Sequence, residues 1–65
     1  MFEIGRTYKF SMNKQHAKNS IYTITVEGSN DKAVWGIDKE NIRRGLNLRY
    51  VYDWIEDDGD GYWKK

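Results

Sequence analysis

The sequence lacks cysteine and proline, and it contains no long run of apolar residues. The lack of cysteine excludes disulfide-stapled secreted scaffolds, thiolate nucleophiles and cysteine-based zinc sites. The lack of a long apolar run excludes a membrane-spanning helix, and the first residues do not have the pattern of a secretory signal. We therefore expect a soluble cytoplasmic protein.

The 65 residues allow one small domain, whose core has to come from a small number of large side chains. Leu, Ile, Val and Phe together account for only 13 residues, a share compatible with disorder. The ten aromatic residues and the net charge of +1 are not typical of disordered chains. We therefore expect a folded domain with an aromatic-rich core.

Charge is distributed unevenly along the chain. Residues 1–50 carry nine basic and five acidic side chains, whereas residues 51–63 carry five acidic side chains and no basic ones. This uneven distribution of charge says more about the binding partners of the protein than its net charge does. The net charge of +1 argues against strong nonspecific binding to nucleic acid.

Alternating patterns predict two strands that form a hairpin. Residues 20–27 are mostly β-branched or aromatic and place Tyr22, Ile24 and Val26 on one face. Four turn-forming residues follow at 28–31, and the alternation resumes over 32–38.

Three further segments have the character of short strands: 6–11, 42–46 and 51–55. The alternative is a helix over 38–55, because Ile42, Leu46 and Tyr50 are spaced four residues apart. That helix would carry Gly45 in its interior, at a cost of about 1 kcal/mol relative to alanine. The strict alternation from Leu46 to Trp54 favours a strand.

Residues 45–55, Gly-Leu-Asn-Leu-Arg-Tyr-Val-Tyr-Asp-Trp-Ile, resemble the C-terminal pattern of SH3 domains. Residues 8–10 resemble the end of the SH3 Ala-Leu-Tyr-Asp-Tyr segment, and residues 32–38 resemble the strand that bears the ligand-facing tryptophan. The resemblance implies an all-β, five-stranded SH3-like barrel over residues 1–56. It also implies a short 3-10 turn near 47–50. Sm-like barrels share much of this pattern. Residues 57–65, with their acidic and glycine residues, predict a flexible acidic tail.

If the resemblance holds residue by residue, four aromatic side chains line one groove: Tyr8, Phe10, Trp35 and Tyr50. Flat aromatic rings present a large rigid area to a peptide or a base. A small barrel also needs aromatics in its core, so we expect at least two of the four to be buried. The densest basic cluster, which would supply a basic rim, consists of Arg43, Arg44 and Arg49.

These features predict a binding module without catalytic activity, metal or cofactor. His16 is the single histidine, lies in the predicted loop 12–19, and has no serine or carboxylate placed by the sequence to form a triad. We expect a protein partner with an acidic or mixed-charge surface. Chains of this size and style resemble phage or mobile-element accessory proteins that inhibit host factors.

Two alternatives remain open at this point. Small Sm-like and OB-like barrels bind single-stranded nucleic acid, and arginines beside exposed aromatics suit phosphate contact and base stacking. The segment 20–27 is also a candidate edge strand that pairs with a neighbouring copy. We expect a monomer or a small homo-oligomer.

Overall fold

The computed structural model describes residues 2–57, and these residues form five strands and two 3-10 turns. The strands are β1 (Thr7–Ser11), β2 (Ile21–Ser29), β3 (Ala33–Ile37), β4 (Arg43–Asn47) and β5 (Asp53–Glu56). The turns are Lys18–Ser20 and Leu48–Tyr50. The all-β class and the short turn near 47–50 are confirmed, and the helix considered for 38–55 is wrong. The predicted tail lies outside the described residues except for Asp57.

The strands form one antiparallel sheet in the order β4-β3-β2-β1-β5. The predicted hairpin is confirmed, because β2 pairs with β3. The prediction that 20–27 is an edge strand is wrong, because β2 has a paired neighbour on each side. In the described part of the chain the edges belong to β4 and β5. No helix among residues 2–57 is long and apolar enough to cross a membrane.

The core is built by the inward-facing residues of four strands. The buried apolar side chains are Tyr8, Phe10, Ile24, Val26, Val34 and Leu46. Both strands β1 and β2 alternate as the sequence predicts, with every second residue buried at their centres. Because a strand directs successive side chains to opposite faces, this alternation produces one apolar face and one exposed face.

Asparagine and aspartate side chains shape the tight turns. Asn30 Oδ1 accepts hydrogen bonds from the backbone N–H groups of Lys32 and Ala33 in the β2–β3 turn. Asp38 Oδ1 accepts from the backbone N–H groups of Glu40 and Ile42 in the β3–β4 turn. Such side chains replace the backbone partners that a turn lacks. These bonds bring strands β2, β3 and β4 into their antiparallel register.

The loop between β1 and β2 is tied to the sheet by its own polar groups. The fully buried Ser11 donates a hydrogen bond of 2.6 Å from its hydroxyl to the Asn13 carbonyl. The Asn13 side chain accepts from the Ala17 N–H and donates to the Ser20 hydroxyl. His16 adopts a φ of 56°, which lets the loop turn back toward β5.

Candidate functional site

Two of the four aromatics predicted to line a groove are core residues. Tyr8 is 4% exposed and Phe10 is fully buried, so the groove does not form as predicted. β1 lies between β2 and β5, and its inward face is therefore covered on both sides. The Tyr8 hydroxyl accepts a hydrogen bond of 2.9 Å from the backbone N–H of Glu3, which satisfies its polar end. The expectation that at least two of the four are buried is confirmed.

Trp35 lies on the outer face of the sheet and not with the other predicted groove residues. It is 40% exposed, while its strand neighbours Val34 and Gly36 face the core. In the sheet it pairs with Gly28 on one side and Gly45 on the other. A Cβ atom on Gly28 would lie 2.6 Å from the indole, so the indole rests directly over that glycine.

Within residues 2–57 the exposed aromatics are concentrated between β4 and the middle of β5. Among residues 2–57, six large hydrophobic side chains are exposed, and three of them are Tyr50 (63%), Tyr52 (61%) and Trp54 (43%). Tyr50 ends the second 3-10 turn, and Trp54 belongs to β5. A cluster of three aromatics within five residues is a property of binding surfaces more than of solvated strands.

Two of these aromatics, Tyr52 and Trp54, line a concave surface that we call the aromatic hollow. Its volume is about 380 Å³, and it is lined by five apolar or aromatic side chains and two polar turn residues. The lining residues are Phe2, Asn30, Asp31, Leu48, Val51, Tyr52 and Trp54. Phe2, Leu48 and Val51 pack against the core from this side, so the floor of the hollow is continuous with the core.

The aromatic hollow is positioned by the sheet and by the second 3-10 turn. The Asn47 side chain accepts a hydrogen bond from the Arg49 N–H and so begins the turn. The backbone N–H of Tyr52 donates to the Ser11 carbonyl at 2.8 Å, which joins the end of the turn to β1. The Phe2 ring packs edge-on against Trp54 at a centroid distance of 4.7 Å. The hollow is therefore held by side chains far apart in the sequence.

His16 reaches this region from the loop between β1 and β2. Its Nε2 atom lies 3.3 Å from Asp53 Oδ2, and its ring meets the Tyr52 ring edge-on at 6.2 Å. The side chain is mostly buried, so it packs in the folded structure although it belongs to a loop. It contacts one wall of the hollow and supports the position of Tyr52.

Charged residues lie beside the aromatic hollow. A second hollow of about 550 Å³ shares Asp31 and Leu48 with the first and adds Lys32, Asn47 and Arg49. Arg49 makes no ion pair with the described residues 2–57. The rim of this end of the molecule therefore carries both signs of charge.

The two other predicted rim arginines lie elsewhere. Arg43 is on the outer face, with its Nε atom 3.9 Å from Glu27 Oε1. Arg44 donates from Nε to Asp38 Oδ2, and its guanidinium lies 5.7 Å from the centre of the Tyr22 ring. The hydrogen bond from Arg44, followed by that from the Ile42 N–H, holds the pKa of Asp38 below its usual range. The same pair raises the pKa of Arg44.

Sequence reasoning missed Phe2, Tyr52 and Trp54 as site residues. A signal for two of them existed, because the alternation from Leu46 to Trp54 includes both Tyr52 and Trp54. No local pattern marks Phe2, which contributes through contacts with distant strands. Within residues 2–57 no three histidine or carboxylate side chains lie close enough together to hold a metal ion.

Comparisons of the chain with protein-family models, with curated proteins and with solved structures found no match.

Proposed function

We propose that this protein is a binding module without catalytic activity that recognises a protein partner through the aromatic hollow. The supporting observation is that Tyr52 and Trp54 are exposed and line a concave surface with an apolar floor, and the exposed Tyr50 lies two residues before Tyr52 in the chain. Tyrosine and tryptophan are enriched at protein interfaces, because they bury a large area with few rotatable bonds and keep one polar atom. This arrangement favours a partner that inserts an apolar side chain.

The proposal includes an SH3-like assignment for the fold. It is supported by five antiparallel strands and by a short 3-10 turn between β4 and β5, where the sequence resembles SH3 domains. The inhibitory role implied by the resemblance to phage accessory proteins stays a prediction. An inhibitor of this kind would act by covering part of its partner's surface.

The charges beside the hollow define the partner further. Asp31, Lys32 and Arg49 border it, so a partner with charges of both signs would find complementary groups. Surface charges of this kind act on association rate and specificity more than on affinity. We therefore expect binding to weaken only moderately when salt is raised.

The test is a pull-down and affinity measurement with one variant in the hollow and one matched control. Tyr52→Ala removes an exposed ring from the hollow, and Ile42→Ala removes an exposed side chain at the other end of β4. We expect a stoichiometric partner with the unchanged protein and with Ile42→Ala, and at least tenfold weaker binding with Tyr52→Ala. Equal binding by both variants would contradict the assignment of the hollow.

A second function is favoured by the position of Trp35. Its indole lies flat over Gly28 on the outer face, and the pairing residue Gly45 leaves the surface beside it open. Arg43 lies on the same face, two residues from Gly45 along β4. A tryptophan beside an arginine suits base stacking with phosphate contact, so single-stranded nucleic acid is the alternative ligand.

Titration of a fluorescent oligonucleotide at two salt concentrations separates the two functions. Nucleic-acid binding predicts an affinity that falls steeply with salt and is lost in Trp35→Ala. Protein binding through the hollow predicts no oligonucleotide binding at low salt. It also predicts that Trp35→Ala still captures the protein partner.

A further inference from the structure

A third concave surface, which we call the basic groove, shares no lining residue with the two hollows described above. Its volume is about 460 Å³. Its floor is the beginning of β2, with the half-buried side chains of Ile21, Tyr22 and Thr23. It therefore offers a site that can be occupied independently of the aromatic hollow.

Four cations from four separate parts of the chain line the basic groove. Lys9 comes from β1, Lys18 from the first 3-10 turn, Lys39 from the β3–β4 turn and Arg44 from β4. The acidic residues in the lining are Asp38 and Glu40. The groove therefore carries a net positive charge although the molecule as a whole is nearly neutral.

One of the two acids is already neutralised by the fold. Asp38 accepts hydrogen bonds from Arg44 and from two backbone N–H groups, and its side chain is mostly buried. Lys18 and Lys39 are exposed and make no ion pair with any of residues 2–57. Their ammonium groups are therefore available to an anionic ligand.

The structure already contains a carboxylate at the edge of this surface. Asp57 Oδ1 lies 4.0 Å from Lys9 Nζ, and the backbone N–H of Asp57 donates to the Thr7 carbonyl. Both side chains of the ion pair are mostly buried. A cation that lines the groove is therefore arranged to contact an aspartate whose backbone is hydrogen-bonded to β1.

We propose that the basic groove binds a carboxylate-rich peptide segment of the protein partner. The inference rests on the proposed function, because it gives the same partner a second point of attachment. Lys18 and Lys39 contact its carboxylates, and the floor formed by Ile21 and Tyr22 packs against its apolar atoms. Two separate points of attachment restrict the orientation of the partner and raise specificity.

The charge pattern favours a peptide over a nucleic-acid strand. A phosphodiester chain carries one negative charge on every nucleotide, and it is best matched by a groove without acids. Glu40 within the lining would repel such a chain. A peptide can place its carboxylates near the lysines and neutral or apolar residues near Glu40.

The test is an NMR titration of the full ¹⁵N-labelled chain with a capped hexaglutamate peptide. Capped hexaglutamine is the uncharged control of the same length. We expect hexaglutamate to shift the amide signals of Thr23, Lys39 and Glu40, and to leave those of Leu48 and Val51 unchanged. Hexaglutamine should shift none of them. Shifts spread evenly over all exposed lysines would overturn the proposal.

Paired charge variants test the same site. Replacing Lys18 and Lys39 by glutamine should weaken hexaglutamate binding at least fivefold. Replacing Lys14 and Lys32 by glutamine removes the same charge outside the basic groove and should change the affinity less than twofold. Equal effects of the two pairs would overturn the proposal, because the attraction would then come from net charge alone.

Two further measurements identify which ligand occupies the basic groove. Tighter binding of hexathymidylate than of hexaglutamate at the groove would overturn the choice of a peptide. Binding of hexaglutamate only after Asp58→Asn and Asp60→Asn would show that the chain's own acids occupy the groove, and would overturn the choice of a partner. Tyr52→Ala should leave the titration unchanged, so failure here is separate from failure of the aromatic hollow.

Discussion

The aromatic residues of β1 and those between β4 and the middle of β5 both recur at every second position, but their environments are opposite. Tyr8 and Phe10 alternate with polar residues and are buried. Tyr50, Tyr52 and Trp54 also recur at every second position, with Val51 and Asp53 between them, and are exposed. The two segments are neighbours in space, because Phe10 pairs with Trp54 across the β1–β5 ladder. The two-residue spacing of the rings therefore does not explain the difference between them.

Part of the difference comes from position, because Tyr50 ends the second 3-10 turn and Tyr52 lies before β5. For Trp54 the difference comes from the number of neighbours that its strand has. β1 lies between β2 and β5, whereas in the described part of the chain β5 is hydrogen-bonded to β1 alone. The side chains of an edge strand lose cover on one flank, so a large ring is left partly in solvent. In this sheet the core aromatics stabilise the fold, and the exposed aromatics are the ones that we propose for partner binding.

The largest effect is expected from paired substitutions in the two segments. Phe10→Ala should cost about 3–5 kcal/mol, because it leaves a cavity in the core. That is comparable to the whole stability of a domain of this size, so we expect an unfolded protein. Tyr50→Ala should change the unfolding free energy by less than about 0.5 kcal/mol. Circular dichroism without denaturant shows whether Phe10→Ala is folded, and urea unfolding gives the cost of Tyr50→Ala; a Phe10→Ala variant as stable as Tyr50→Ala would contradict the comparison.

Two glycines of the sheet also differ in environment, because one faces the core and the other faces outward. Gly36 faces the core, and a Cβ atom there would overlap the Thr25 carbonyl oxygen. Gly45 faces outward, and a Cβ atom there would make one ordinary contact, with the Cβ of Trp35 at 3.8 Å. We expect Gly36→Ala to cost about 1–3 kcal/mol or more and Gly45→Ala to be neutral within about 0.5 kcal/mol. Thermal unfolding of the two variants tests this, and a cost at Gly45 equal to that at Gly36 would contradict it.

The sequence was sufficient to predict β2 and β3, because their own residues favour strands. The alternation of Tyr22, Ile24 and Val26 fixes which face of β2 is buried, and the turn residues after it fix the hairpin. β4 gives a weaker signal. Leu46 is its one buried side chain, so its strand conformation depends on pairing with β3.

The candidate site could be predicted only in part, because it depends on strand order. The alternation marks Tyr8 and Tyr52 equally, and only their places in the sheet separate core from surface. The position of His16 against Asp53 joins residues far apart in the chain, and no local signal predicts it. The resemblance predicts Trp35 in one groove with Tyr8 and Phe10, but its position on the opposite face follows from the inward direction of Val34.

Trp54 is intermediate between the buried aromatics of β1 and the exposed Tyr50 and Tyr52. It is partly exposed, yet its ring packs edge-on against Phe2 and against Tyr8 at 5.7 Å. We expect Trp54→Ala to cost about 1–2 kcal/mol, less than a fully buried ring. It should also weaken partner binding at least as much as Tyr52→Ala. Unchanged stability with lost binding would mean that Trp54 belongs to the exposed class alone.

Tyr22 is a third kind of aromatic, because a charged group covers its ring. The guanidinium of Arg44 lies over it and is held there by Asp38. The hydrogen bond from Arg44 lowers the pKa of Asp38 in the folded protein. The carboxylate therefore adds stability at any pH above its usual pKa of about 4, and that stability is lost as the pH falls through the lower folded value.

We expect the smallest effect on stability from a substitution that releases Arg44 from its position over Tyr22. Asp38→Asn keeps a side-chain oxygen for the N–H groups of Glu40 and Ile42 but removes the charge that holds Arg44. We expect the variant to be less stable than the unchanged protein at pH 7, and the difference to disappear below the folded pKa of Asp38. Urea unfolding midpoints at pH 7, 4 and 2 measure it, and the other acids cancel because both proteins contain them. A difference that persists at pH 2 would mean that Asp38 acts through its turn hydrogen bonds and not through Arg44.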